Sequence, residues 1–275
     1  MILIPSVVFG GFGLLIGSFL NVLIFRIPAG RSFVSPPSSC GSCAARIRPW
    51  DNIPVVSWLL LRGRCRDCAA PISPRYPLVE LGTAIFFGIV TWWALSEVPM
   101  ATGYRPVLAF GLTLIAFLYL AAVSVALAMI DLDTHTLPNR IVLPAYIVGS
   151  ALLTSAAILS DQSQRLIPAA AGCVVLFSLY LLMALLYPGG MGLGDVKLAG
   201  VLGLYLGWLG WDALAVGAFG AFLLGGLFSL VLILTRKANR DSGIPFGPWM
   251  LAGAWLGIFG GERIATGYLS IFGLT

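Results

Sequence analysis

Two aspartates and four cysteines are the residues of this chain whose types and spacing point to chemistry. Asp131 closes a long apolar run, 107–130, and Asp195 stands in Gly192-Leu193-Gly194-Asp195-Val196-Lys197. Two carboxylates brought close together resist being ionised at once, so one keeps a proton and the pair titrates as a unit. That arrangement suits an aspartic protease. The ionised partner takes a proton from water, and the water attacks a peptide carbonyl. The protonated partner polarises the carbonyl oxygen and later helps the amine leave. Gly192 and Gly194 lack a Cβ, so a peptide or a facing helix can approach Asp195 closely. Lys197 is placed either to neutralise a carboxylate or to bind a phosphate head group. On spacing alone, the competing reading is that Asp131 and Asp195 each cap a helix or end a span. Asp133, two residues from Asp131, faces another way on a helix and reads as such an end residue.

The cysteines form Cys40-Gly41-Ser42-Cys43 and Cys65-Arg66-Asp67-Cys68, two pairs separated by 21 residues. Zinc takes four soft ligands in a tetrahedron, and each pair supplies two from one tight turn. The gap is slightly longer than usual for such sites. The alternatives are disulfides or idle thiols, and a reducing compartment disfavours disulfides. Residues 53–61 between the pairs read Ile-Pro-Val-Val-Ser-Trp-Leu-Leu-Leu, either a small core or a patch lying on a membrane. A segment of about 50 residues buries little core, so a metal staple makes physical sense. The fifth cysteine, Cys173, lies inside an apolar run and reads as a packed small residue.

Two further acids sit within or beside apolar runs, Glu80 and Asp212, and such residues are functional candidates by default. Asp212 falls in the short turn Gly210-Trp211-Asp212 and reads as a helix N-cap. His135, the single histidine, stands in a polar turn and reads as a solvated loop residue.

The elements that must position these groups follow from composition. Hydrophobic residues make up 59% of the 275 residues and charged ones 10%, with mean hydropathy +0.97. Soluble domains have about 45–50% apolar and about 25% charged residues. The composition therefore excludes soluble domains, a disordered chain and a surface-bound amphipathic protein. Continuous apolar runs, without alternation of period two, disfavour a transmembrane barrel. The expected fold is all-α: a polytopic membrane protein with about eight spans, near 4–25, 78–96, 107–130, 141–159, 167–187, 197–210, 213–235 and 248–270. The sixth is short and rich in Gly and Trp. Residues 1–25 form the first span, 26–77 a large polar loop, and 78–275 the remaining membrane core.

Charge sets the orientation. The net charge of +5 reads as positive-inside topology and calls for no nucleic acid. Arg26, Arg31, Arg46, Arg48, Arg62, Arg64, Arg66 and Arg75 fall between spans 1 and 2, and Arg140, Lys197, Arg236, Lys237 and Arg240 follow spans 3, 5 and 7. Only Arg105, Arg165 and Arg263 remain for the opposite side. The polar loop is then cytoplasmic, and both termini lie outside. Residues 2–25 lack a preceding basic residue and are followed by Arg26 and Arg31, as a retained first span would be rather than a signal peptide. Asp131 and Asp195, 64 residues apart, both reach the cytoplasmic face without a charge crossing the bilayer.

The ordered set of motifs resembles bacterial prepilin peptidases, the type IV leader peptidases that are integral-membrane aspartic proteases. The matching segments are Gly17-Ser18-Phe19-Leu20-Asn21 with Arg26-Ile27-Pro28, the paired cysteines, Asn52-Ile53-Pro54-Val55-Val56-Ser57-Trp58, Tyr76-Pro77-Leu78-Val79-Glu80, Ile130-Asp131 with Leu137-Pro138-Asn139, and Gly192-Leu193-Gly194-Asp195-Val196-Lys197-Leu198. The resemblance implies a multi-pass protein of the bacterial plasma (inner) membrane. It implies Asp131 and Asp195 as the catalytic pair, with type IV prepilins or pseudopilins as substrates, cut after Gly at the cytoplasmic membrane surface. It also implies N-methylation of the new N-terminus with S-adenosyl-L-methionine, an activity associated with the cysteine-bearing loop. The sequence carries no independent sign of a pocket for that cofactor. Rival readings are a transporter, which expects carboxylates near the bilayer midplane and an internal repeat, and a non-catalytic assembly factor of the pilus or secretion machinery that docks through the loop.

Overall fold

A computed structural model of the chain describes residues 2–97, 103–187, 189–235 and 244–273. Arg236, Lys237 and Arg240, used above for orientation, lie outside the described residues. The described chain is helical or irregular, apart from two isolated bridges, Ser39 with Arg46 and Arg64 with Pro71. The helices are α1 (Leu3–Arg26), α2 (Val56–Leu60), α3 (Arg75–Glu97), α4 (Tyr104–Thr134), α5 (Asn139–Leu159), α6 (Leu166–Leu186), α7 (Leu193–Leu209), α8 (Trp211–Leu234) and α9 (Gly247–Ile271). Six helical stretches among the described residues are long and apolar enough to cross a membrane: α1, α3, α4, α5, Ser163–Leu186 (which includes α6) and α8. The other two expected spans correspond to α7 and α9. At 17 residues α7 is about 26 Å long, against a hydrocarbon core of about 30 Å.

The chain divides into two compact units, Met1–Met100 with Phe117–Ala126, and Ala101–Ala116 with Leu127–Thr275. In the first, α1 packs along α3. The buried side of α1 is Ser6, Gly13, Gly17, Leu20 and Ile24, spaced three, four or seven apart as one helix face requires. A Cβ on Gly17 would lie 2.6 Å from the Glu80 Cα, so only glycine permits this approach. At the polar-loop end of the pair, Asn21 donates from Nδ2 to the Tyr76 carbonyl at 3.1 Å.

In the second unit, α7 is the central helix and packs against α5, α6, α8 and α9. Every residue from 198 to 208 is buried. A helix covered on all sides needs no polar face. This is why α7 carries glycines where neighbours cross it: Gly203 meets Gly172 of α6, and Gly207 meets Pro168 and Ala169. The pairing of α8 with α9 uses the same device, with Gly257 against Gly217.

Candidate functional site

The apolar run of α4 ends on Asp131, which is buried in the helix's last turns. His135 closes the helix in a left-handed conformation (φ 52°) and donates its N–H to the Asp131 carbonyl at 2.9 Å. The histidine itself is exposed, as a loop residue should be. The chain turns through Leu137 and Pro138 and enters α5 at Asn139.

Asp195 is the third residue of α7 and is half-buried. Gly192 occupies the N-cap position, and its N–H donates to Asp195 Oδ2 at 3.1 Å. Asp195 thus caps its helix, satisfying a donor that the first turn leaves without a partner. The sequence posed capping and a catalytic role as alternatives; the structure shows the cap, and it occupies one carboxylate oxygen. Asp131 is held in the same way. Gly247, the first residue of α9, donates its N–H to Asp131 Oδ2 at 3.0 Å. Leu137 packs between the two motifs: a Cβ on Gly194 would sit 3.0 Å from its Cβ, and one on Gly247 3.3 Å from its Cδ2.

Lys197 does not bond to either aspartate among the described contacts. Its Nζ donates to Asn139 Oδ1 at 3.1 Å, and its carbonyl accepts from Tyr146 Oη at 2.6 Å. The first turn of α7 is therefore tied twice to α5. Beneath the site, Tyr180 of α6 is buried among aromatic rings. The Phe222 ring of α8 lies 5.4 Å away and the Phe246 ring 6.4 Å. Sequence reading missed Gly247, Tyr180 and Phe246. The signal for Gly247 was the Pro245-Phe246-Gly247-Pro248 turn that opens the last span.

The other singled-out acids stand elsewhere. Asp133 is exposed in the last turn of α4. Asp212 is the second residue of α8, and Gly210 holds the N-cap place, so Asp212 charges the helix start rather than capping it. Glu80, in α3, is buried and accepts the Val55 N–H at Oε2 from 2.7 Å.

The four cysteines of the loop converge. Their sulfurs lie within 4.8 Å of one another, Cys40 and Cys68 at 3.8 Å, and none forms a disulfide. The stretches 40–45 and 65–70 both read Cys-x-x-Cys-Ala-Ala and share one backbone shape. In each, the first Ala N–H reaches the first Cys carbonyl at 2.9 Å, and that Cys N–H bonds to the second Ala carbonyl at 2.9 or 2.8 Å. Ala44 and Ala69 adopt matching left-handed φ values of 58° and 57°. Backbone N–H groups of Cys43 and Ser42 hold the Cys40 thiol down to about 6. Four sulfurs this close cannot all be thiolates without a cation, and the cluster fits one metal ion. The residues inside the second turn are gripped from outside it: Asp51 accepts from Arg66 Nε at 2.9 Å, and Arg48 pairs with Asp67 at 3.3 Å. Cys173, in α6, is half-buried and separate from this cluster in sequence and in ligand set.

A model of the bacterial peptidase A24 N-terminal domain matches residues 12–94, and one of the type IV leader peptidase family matches 117–230. The chain is 38% identical to the prepilin leader peptidase/N-methyltransferase of Aeromonas hydrophila, covering 95% of this chain and 92% of that one. It is 35% identical to the protein of that description from Stutzerimonas stutzeri, over 94% and 91% of the two chains. With the one from Neisseria gonorrhoeae it shares 36% identity over 89% and 86%. No solved structure matches the chain significantly.

Proposed function

This chain belongs to the type IV leader peptidase family, and on that footing we propose that it removes the basic leader of type IV prepilins or pseudopilins by hydrolysis after Gly, with Asp131 and Asp195 as the catalytic pair. One observation carries this reading. The end of α4 and the start of α7 meet around Leu137, which lies against Gly194 beside Asp195 and against Gly247 beside Asp131, and each carboxylate has its Oδ2 held by a glycine N–H. The glycine bonds orient the groups through Oδ2, and Oδ1 of each is the oxygen assigned to water and substrate. One carboxylate then draws a proton from water while its protonated partner bonds to the peptide carbonyl oxygen. The proton ends on the departing amine, so the pair returns to its starting state.

Both acids stand at helix ends. A transporter places its carboxylates near midspan, so the position favours the peptidase. The protein is a multi-pass protein of the bacterial inner membrane, with the pair and the cysteine loop on the cytoplasmic face and the N-terminus outside.

Cys40, Cys43, Cys65 and Cys68 hold one structural zinc ion. Tetrahedral zinc with Zn–S bonds of about 2.3 Å gives sulfur–sulfur edges of about 3.8 Å, the spacing of Cys40 and Cys68. N-methylation of the new N-terminus, with S-adenosyl-L-methionine as donor, is supported by the relatives' name and the intact loop. The described residues contain no strand–turn–helix glycine cradle for such a nucleoside. They do not fit that mode of binding.

Cleavage of a prepilin by purified protein in liposomes tests the reading. Asp131→Asn and Asp195→Asn each keep an oxygen for the glycine bond but lose the charge, and each is expected to abolish cleavage in a protein that still inserts. Full activity in either variant overturns the assignment.

A further inference from the structure

The short helix α2 turns its apolar side outward. Val56, Leu59 and Leu60, at i, i+3 and i+4, share one face of α2, and Ile53 stands in the turn just before it. Ile53, Val56, Leu59 and Leu60 are 50%, 47%, 61% and 78% exposed. Four exposed aliphatic side chains within eight residues need a partner.

Two observations say where that face lies. The first is a tether. Val55, just before α2, holds φ 60°, a value strained for a β-branched residue. Its N–H is bound by Glu80 at 2.7 Å. Glu80 is the sixth residue of α3, about 8 Å along a helix apolar enough to span a membrane. Leu78 and Leu81, on either side of Glu80, are exposed as lipid-facing residues are, and Tyr76 sits one turn earlier. The start of α2 is therefore fixed at the level where α3 enters hydrocarbon. The indole of Trp58 holds the helix from another side, donating to the Ile72 carbonyl at 3.0 Å.

The second observation is charge. Segment 26–77 carries eight arginines against two acids, Asp51 and Asp67. Both acids are already bound, by Arg66 and Arg48. Arg62 and Arg64 follow α2 directly and are exposed.

We infer that α2 is an interfacial anchor: its Val56–Leu59–Leu60 face, with Ile53 from the preceding turn, lies in the headgroup layer of the membrane that α1 and α3 enter, and the neighbouring arginines select anionic lipid there. An apolar face inserted a few ångströms and flanked by arginines is the chemistry of peripheral membrane helices. The anchor would hold the metal-binding turns against the membrane surface.

The test uses the full chain with a fluorescent amino acid at position 60, inserted by codon reassignment so that the metal cysteines stay intact. The protein is reconstituted in phosphatidylcholine vesicles with and without phosphatidylglycerol. Nitroxide lipids labelled near the headgroup should quench the probe strongly, and iodide present on both sides should quench it weakly. Leu59→Glu should reverse that order in protein that keeps its bound metal. Arg62→Gln should lower the lipid-to-iodide quenching ratio by about fivefold, only where phosphatidylglycerol is present. Dominant iodide quenching in metal-loaded wild-type protein overturns the inference. So does a photocrosslinker at position 60 that captures a second copy or a prepilin in place of lipid.

Discussion

Gly247 donates its backbone N–H to Asp131 Oδ2 at 3.0 Å, across 116 residues of sequence. The first residue of α9 thereby sets the position of a carboxylate on α4. The approach leaves no room for a side chain, because a Cβ on Gly247 would stand 2.7 Å from the same oxygen. Gly247→Ala keeps the N–H but drives the carboxylate away. A displacement of about 1 Å costs on the order of a hundredfold in rate. The expected result is a drop of about ten- to a hundredfold in kcat for prepilin cleavage with the protein folded. Gly226→Ala, at a place where nothing lies within 4 Å, serves as the control and should cleave normally.

Lys197 and Asn139 join the two carboxylate motifs by a side-chain bond of 3.1 Å. If its role is to hold α7 against α5, the effects of Lys197→Met and Asn139→Ala are not additive. A double-mutant cycle on thermal stability should give a coupling of about 0.5–1.5 kcal/mol. A coupling near zero would assign Lys197 to some partner other than Asn139.

How much of this was legible depends on what each residue contributes. Asp131 was legible because a charge ends a long apolar run, and the cysteines were legible because their pairing is a side-chain pattern. Gly247 was not, since it acts through a main-chain N–H that every residue but proline has; only the fold chooses its partner. Asp195 looked ambiguous between cap and catalyst; its Oδ2 serves the cap, which uses one oxygen and leaves the catalytic proposal to be tested on the other. Hydropathy undervalued α7, because a short helix buried on every side needs glycines for close packing rather than twenty lipid-facing residues. Asp212 was misread as a cap because a glycine two residues earlier took that place. The repeated Cys-x-x-Cys-Ala-Ala was visible in the sequence, but two alanines at left-handed φ were not, as alanine carries no mark of that conformation.

The Asp51–Arg66 pair braces the second cysteine turn, and it makes that brace depend on pH. The Arg66 guanidinium, bonded to the carboxylate, holds Asp51 below the usual carboxylate range. A depressed folded-state value means the stabilisation is present above the unfolded value, about 3.9, and is lost as pH falls through the folded one. Asp51→Asn should therefore speed hydrogen exchange across residues 40–70 at neutral pH. The difference from wild type should shrink as the pH drops below about 4. A difference that stayed constant down to strongly acidic pH would show that the pair is not the cause.

The metal cluster predicts a separation of functions. All four sulfurs lie within 4.8 Å of one another, so losing one leaves three thiolates with reduced hold on an ion. Cys40→Ser and Cys65→Ser occupy equivalent places in the two matching turns and should behave alike. Each is expected to lose bound zinc, measured by elemental analysis, and to expose the loop to protease. Protons compete with metal for thiolates, so wild-type protein should likewise release its ion as the pH falls. Asp131 and Asp195 are carried by α4 and α7, outside segment 26–77. Cleavage should accordingly stay within a few-fold of wild type, while methyl transfer to the mature N-terminus falls sharply. Unchanged zinc content in either serine variant would refute the four-cysteine site. Equal loss of cleavage and methylation would show instead that the loop supports the peptidase itself.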